Sequence, residues 1–503
     1  MNRKYITYGA SFALLSLGFF ASCKKSWLET TPAGLYLETT YYSSPDQAFA
    51  GLVAAYDPLS TETGGMDNTY SSPLGPLNAA SDDCVAGGGG PTDMTTWQVW
   101  NNYTLTPAQG PQGEFWGINF KGVTRANIIL SKLDGVPGLD DATRKRYVAE
   151  GKFLRAHYYF DLERLFKNVP LVTSPILLAD AYNQPQADPA AVWAQIEKDL
   201  NEAIPNLPVT VPVAENGRAT QGAAKALLGK VYLYEKKWQD AVNQFKDVNG
   251  TAGGTSQYGY KLMANFGQIF DPKYKFNSES IFEIQKTGTQ SFDWGGWNTF
   301  KSNVYVQMVG PRNYTGVIYW GGWGFNPATM SLVNALKGDP RYGYTVYNMD
   351  SLVAVNKTKY EASYQNSGYF IQKYAPLLKN KASTGTAELN FPNDYIEIRL
   401  ADTYLMEAEA LVQLGQAAGR AADLLNAVRA RVGLTAIPAT LDNIYNERRL
   451  ELATEGHRWF DLVRTGQAPT VLGPDGFKAG KHELLPIPLN ELNNTKLVQN
   501  PGY

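Results

Sequence analysis

Between Phe292 and Phe325 the chain sets Trp294, Trp297, Phe300, Tyr305, Tyr314, Tyr319, Trp320 and Trp323 among Gly295, Gly296, Gly316, Gly321, Gly322 and Gly324. Neither a helical period nor a strand alternation orders these rings, so regular core packing does not account for them. Flat indoles can cover the apolar C–H face of a sugar ring, while Asn, Asp, Arg or Gln reach its hydroxyl rim. Glycines let the backbone approach closely and hold rings on turns. The chemistry implied is capture of a flat, weakly charged molecule; the alternative is that the rings pack within the loops. Trp294, Trp297, Tyr319, Trp320 and Trp323 are the candidate contacts.

A second patch gathers Asp82, Asp83, Trp97, Trp100 and Asn101. Its indoles either meet the same ligand or pack on the helix carrying Trp116 to Phe120, as buried indoles often do. Glu447, Glu451 and Glu455 recur at i, i+4 spacing and share one helical face. Arg448 lies three before Glu451 and Arg458 three after Glu455, so ion pairing is the simpler account. Acid and base carboxylates of a glycosidase are the competing reading, and they would need to face each other across a cleft. His157, His457 and His482 have no metal-ligand spacing, and no G-x-S-x-G nucleophile occurs. The run Gly87 to Gly90 lacks a following Gly-Lys-Ser/Thr, which argues against a phosphate loop. Catalytic, metal and cofactor roles are therefore not expected.

At 503 residues the chain can hold two packed regions. A formal net charge of -2 gives no reason to expect nucleic acid as partner. Arg3 and Lys4 precede a short apolar run, Tyr5 to Phe20, and Phe20-Ala21-Ser22-Cys23 closes it. This reads as an export signal rather than a membrane span. A cysteine at the cleavage point resembles a bacterial lipobox, with Cys23 the acylated residue and Phe20 replacing the usual Leu. Cys84 is then without an intrachain partner, and the exported chain depends on packing rather than disulfides.

Helices must position these groups. Leu228, Gly229, Tyr232, Ala241 and Phe245 fall at tetratricopeptide offsets, with Lys236 and Lys237 at the turn. One such hairpin cannot bury its apolar face alone, so others must stack on it. Helical patterning opens at Ser43–Ser44–Pro45, covers Glu114 to Leu133, Asp140 to Lys167 and Pro189 to Ile204, and returns at Tyr395 to Gly415, Arg420 to Arg431 and Leu441 to Glu455. From about 250 to 393 the period breaks down, with short β-like runs such as SIFEIQ. The predicted class is mainly α, tetratricopeptide-like helix pairs packed against a loop-rich irregular region with short strands. The expected divisions are a signal peptide at 1–22, lipid anchor and tether at 23–42, and an N-terminal helical repeat part at 43–249. The loop-rich ligand-binding region follows at 250–393, then a C-terminal helical repeat part with an extended tail at 394–503.

EGKFLRAHYYFDLERLFKNVPLV, RLADTYLMEAEALVQLG, NERRLELATEGHRWFDLVRTG and the closing LPIPLNELN…QNPGY, in this order from Glu150 to Tyr503, resemble the signature blocks of the RagB/SusD-like lipoproteins of Bacteroidetes. With the lipobox, the resemblance spans nearly the whole chain. It implies lipid anchoring to the outer membrane, surface exposure, capture of a nutrient glycan and delivery to a SusC-like TonB-dependent transporter, without chemistry on the nutrient. The family commonly places an acidic turn where Ser81 to Asp83 stands. Peptide capture within the same family, a secreted glycoside hydrolase and a purely structural repeat scaffold are the alternatives. Trp over Gly favours sugar, because a peptide site would offer sheet edges and charged end-capture.

Overall fold

The computed structural model describes residues 41–60, 73–289, 293–294 and 301–503. The export signal, Cys23 and Trp297 lie outside them. The long helices run in a stack that follows chain order. They are α1 (Pro45–Ser60), α2 (Gln112–Lys132), α3 (Asp141–Phe166), α4 (Pro189–Ala203), α5 (Gln221–Tyr234), α6 (Trp238–Asn249), α7 (Leu400–Gln413), α8 (Arg420–Arg431) and α9 (Leu441–Leu452). Each packs on the next as far as α7, which takes both α8 and α9. Side chains fix their starts. Asp140, Asp188 and Thr220 accept hydrogen bonds from the backbone N–H groups of Thr143, Ala190 and Ala223, satisfying donors that the first turns leave open. Ser44 Oγ likewise accepts from Gln47 N at 3.4 Å.

The α5–α6 pair has the predicted tetratricopeptide seam. Leu228, Ala241 and Phe245 are fully buried, and a Cβ on Gly229 would lie 2.7 Å from the Phe245 ring. Only a glycine lets that ring lie flat on α5. α3 departs from the expected amphipathic pattern: from Ala149 to Phe166 it is buried on almost every side, because α2 and α4 cover opposite flanks.

One expected helix is corrected. Tyr395–Arg399 forms a strand, β4, before α7 begins at Leu400. Ile396 and Ile398 alternate with Glu397, and this period of two seats both isoleucines in the core. β4 pairs antiparallel with β1 (Ser280–Ile284), the predicted SIFEIQ run. A second antiparallel pair joins β2 (Val346–Asn348) to β3 (Tyr369–Ile371). With short helices and long turns, β1, β2 and β3 make up the loop-rich region, and β4 borders it.

A buried ion network bolts that region to the helices. Arg399 donates to Glu279 at 2.8 Å, Glu451 at 2.6 Å and Glu455 at 2.8 Å. Arg341 reaches Glu447 at 2.7 Å and Glu451 at 2.9 Å, Lys373 reaches Glu455 at 2.6 Å, and Arg431 also grips Glu451. The expected charge network therefore exists, but its partners are distant in sequence. Arg448 pairs with Asp402 and Asp461, and Arg458 with Asp82, rather than with Glu451 and Glu455. Burial opposes ionisation of Glu451, yet Arg431, Arg399 and Arg341 hold its carboxyl well below the usual range.

Candidate functional site

The aromatic-glycine segment leaves the core at the short helix Val304–Val309 and returns at Ala328. Isolated bridges pin it on both flanks: Gly87 to Phe325, Thr315 to Lys359 and Tyr319 to Leu377. Backbone contact forces its glycines. A Cβ on Gly322 would sit 2.3 Å from the Gly310 Cα, and Gly324 adopts φ +78°, which side chains rarely tolerate. Trp323, held between them, is half-buried, with part of its ring packed on the core formed by Trp97, Tyr305 and Phe325.

Trp323 stacks on Trp294, ring centres 6.0 Å apart and planes inclined by 27°. Trp294 is 38 % exposed and Trp323 half-buried, so the pair forms an apolar ledge whose solvent-facing side is Trp294. Arg312 underlies it, donating to the Trp323 carbonyl at 3.4 Å, with its guanidinium lying where a side chain on Gly89 would go. Glu361 stands 3.5 Å from Arg312 and accepts from Asn313 Nδ2 at 2.7 Å. Trp320 is half-buried beneath the Lys381 ammonium, 4.5 Å from the ring centre, and its Nε1–H is buried without a hydrogen-bond partner. Rings for a C–H face and an amide and a guanidinium for a hydroxyl rim thus lie on this segment, and the carboxylate of Glu361 packs against it from a later loop. Arg312, Asn313, Glu361 and Lys381 were not among the candidates. The sequence carries a signal only for Arg312 and Asn313, which lie inside the aromatic run.

The second patch is corrected. Trp97 and Trp100 are 0 % exposed, so no ligand reaches them. Trp97 packs edge-on to Phe325 and against Gly75, and Trp100 packs edge-on to Trp459 and to Phe115 of α2. Asp82 binds Arg449 at 2.8 Å and Arg458 at 2.7 Å, and Asp83 binds Arg449 at 2.9 Å. These pairs clamp the 81–84 turn onto α9 and the following helix Arg458–Arg464. Burial raises the Asp83 carboxyl, and Arg449 offsets this only in part. Asn101 Oδ1 accepts from Ala86 N at 3.0 Å, a structural bond. Tyr319 is also corrected. It is buried, stacks on Tyr347 at 4.4 Å and donates to Gln372 Oε1 at 2.8 Å, closing a small core beneath the loop.

Glu447, Glu451 and Glu455 are fully buried and each is ion-paired; Glu455 borders a cavity, a small one of about 40 Å³, and its carboxylate there is held by Arg399 and Lys373. Against burial, Glu397 at 3.6 Å raises the His157 pKa, whereas burial lowers His457 to about 4. Among the described residues no group of three His, Cys, Asp or Glu side chains could hold a metal.

A stack of tetratricopeptide-like helix pairs presenting loop-borne indoles defines the class. Comparison with known proteins supplies the family. A model described as the SusD family matches residues 238–503, and one described as "Starch-binding associating with outer membrane" matches residues 62–233. The chain belongs to the SusD/RagB family. A solved laminarin binding SusD-like protein is 46 % identical, covers 92 % of this chain and 100 % of its own, and superposes with a TM-score of 0.87. Surface glycan-binding protein A from Bacteroides thetaiotaomicron, solved in complex with laminarihexaose, is 28 % identical over 91 % of this chain and 100 % of its own, with a TM-score of 0.82. A SusD-like protein of Formosa agariphila is 25 % identical over 96 % of this chain and 97 % of its own length.

Proposed function

We propose that this protein is a surface glycan-binding lipoprotein of the outer membrane, anchored through Cys23. It captures an oligo- or polysaccharide and passes it to a SusC-like TonB-dependent transporter, performing no chemistry on it. The observation that carries this reading is the exposed Trp294–Trp323 ledge, held on a glycine-forced loop and rimmed by Arg312, Asn313 and Glu361. A shallow ledge leaves much of its ligand in water. The affinity for a short oligosaccharide is therefore micromolar to millimolar, about -8 to -4 kcal/mol, and a polymer gains by engaging many molecules at once. Laminarin-type glucan is the ligand class, by analogy with the 46 % identical relative.

The test is affinity electrophoresis of the lipid-free mature protein in gels containing laminarin, other neutral polysaccharides or acidic ones, with released reducing sugar measured in parallel. Retardation by laminarin without release is the expected result. Release of sugar would make the protein an enzyme. Absence of retardation by every glycan would overturn the reading and bring peptides forward.

A further inference from the structure

Far along the chain from the ledge, the helical scaffold holds a cleft of about 330 Å³. It opens where the turn between α5 and α6 meets the C-terminal end of α7, α9 and the helix Arg458–Arg464, and none of its residues belongs to the loop-rich region. Its volume falls within the range of small-molecule sites, roughly 300–1,000 Å³.

Half-buried Tyr234, Trp238 and Tyr445 line it. Trp238 Nε1–H and the Tyr234 hydroxyl make no hydrogen bond within the described residues. Beneath them lies a buried planar pair: Arg464 donates to both oxygens of Glu409, at 2.6 and 2.9 Å. Tyr445 approaches the same carboxylate at only 3.4 Å, a long and weak bond, and Gln413 stands exposed at the rim. Arg464 also pairs with Asp461, so the floor holds no unmatched cation to select an anion. Lys236 at the rim is exposed to water, which screens its pull.

Aromatic faces beside a charge-matched planar pair and free N–H and O–H donors suit a neutral, polyhydroxylated ring. We propose that this cleft is a second contact for the captured glycan, taking one neutral sugar unit against Trp238 and Tyr445 with its hydroxyls on Glu409, Arg464 and Gln413. The proposal rests on the glycan reading of the ledge. A polymer that engages ledge and cleft together dissociates more slowly than from either alone.

The experiment measures laminarin retardation for the mature protein, Trp323→Ala, Trp238→Ala and the double variant, with laminarihexaose titrated calorimetrically into each. Trp238→Ala is expected to weaken apparent laminarin affinity by about three- to tenfold and to lower the hexaose stoichiometry from two sites to one. The double variant is expected to lose what Trp323→Ala retains. Trp238 is half-buried, so Gln413→Ala, at an exposed residue whose amide engages the Tyr445 hydroxyl, provides a rim substitution and is expected to weaken retardation in the same direction. Wild-type behaviour of both Trp238→Ala and Gln413→Ala, with binding lost in Trp323→Ala, would overturn the second site and leave the ledge standing. A wild-type protein retarded by no glycan would overturn both.

Discussion

Glu451 is the residue on which the junction between loops and helices turns. Its two oxygens accept from Arg341, Arg399 and Arg431, and its side chain is fully buried. Glu451→Gln keeps the shape, removes the charge and turns an amide N–H₂ toward guanidinium donors. Three buried cations then lose a shared counter-charge. Breaking one partner of a buried ionic cluster costs about 3–5 kcal/mol, and that is the expected loss in urea unfolding at pH 7. Glu361→Gln is the control. Its carboxylate is exposed and 3.5 Å from Arg312, a geometry worth less than about 1 kcal/mol. The pH dependence has a defined sign. Because the folded Glu451 pKa is depressed, its contribution is complete above the unfolded value of about 4.3 and is lost as pH falls through the folded value. The gap between wild type and variant should therefore narrow only below about pH 4. Since the network locates the loop-rich region, the variant should also be retarded less by laminarin. A loss at pH 7 no larger than that of Glu361→Gln would refute the reasoning.

Trp323→Ala should weaken oligosaccharide binding about tenfold: a sugar face covering roughly 60 Å² of apolar surface gains about 1.5 kcal/mol. Because Trp323 is half-buried on the core, the variant's melting temperature should fall modestly; a large fall with unchanged affinity in calorimetry would make Trp323 a packing residue. Trp100→Ala should do the opposite, costing about 3–5 kcal/mol of stability by leaving a cavity beside Trp459, read by urea midpoint. Gly229→Val should drive a side chain into the Phe245 ring and cost about 1–3 kcal/mol or more, read by thermal melting. His457 is buried neutral with its pKa lowered to about 4, so the unfolded chain takes up its proton first on acidification. Stability should fall as pH drops from about 6.5 toward 4, and His457→Gln should flatten that slope.

The helical scaffold was legible because its signals are local. Caps such as Asp140 and Thr220, and the Gly229–Phe245 spacing, depend on residues within a turn or one hairpin. Tyr395–Arg399 was misread because an Ile-Glu-Ile alternation runs straight into the helix at Leu400, and its strand partner lies more than a hundred residues earlier. Tryptophan content singled out the 292–325 segment, but it could not tell exposed rings from buried ones: Tyr305, Tyr314, Tyr319 and Phe325 pack in the core, and only Trp294 among the described rings is exposed. Trp97 and Trp323 differ in which loop covers them, and only the folded chain decides that. The 447–458 charges look like helix-surface pairs in one dimension. Their partners, Asp82, Arg341, Arg399 and Asp402, come from other segments. Lys381 reaches Trp320 through a fold contact that no spacing encodes.

Helices α6 and α7 touch directly although the loop-rich region separates them in the chain. Asn249 Nδ2 donates to the Thr403 carbonyl, 154 residues away, and to Glu407, while Thr403 donates back to Asn249 Oδ1. The excursion thus leaves and re-enters the scaffold at nearly one point. Such an inserted cassette can change length or sequence with little disturbance to the solenoid, provided Glu279, Arg341 and Lys373 remain to latch it. The same arrangement orders folding: α1 to α6 are contiguous and can stack as they form, but the flank of α6 is covered only when α7, beyond the cassette, docks on it.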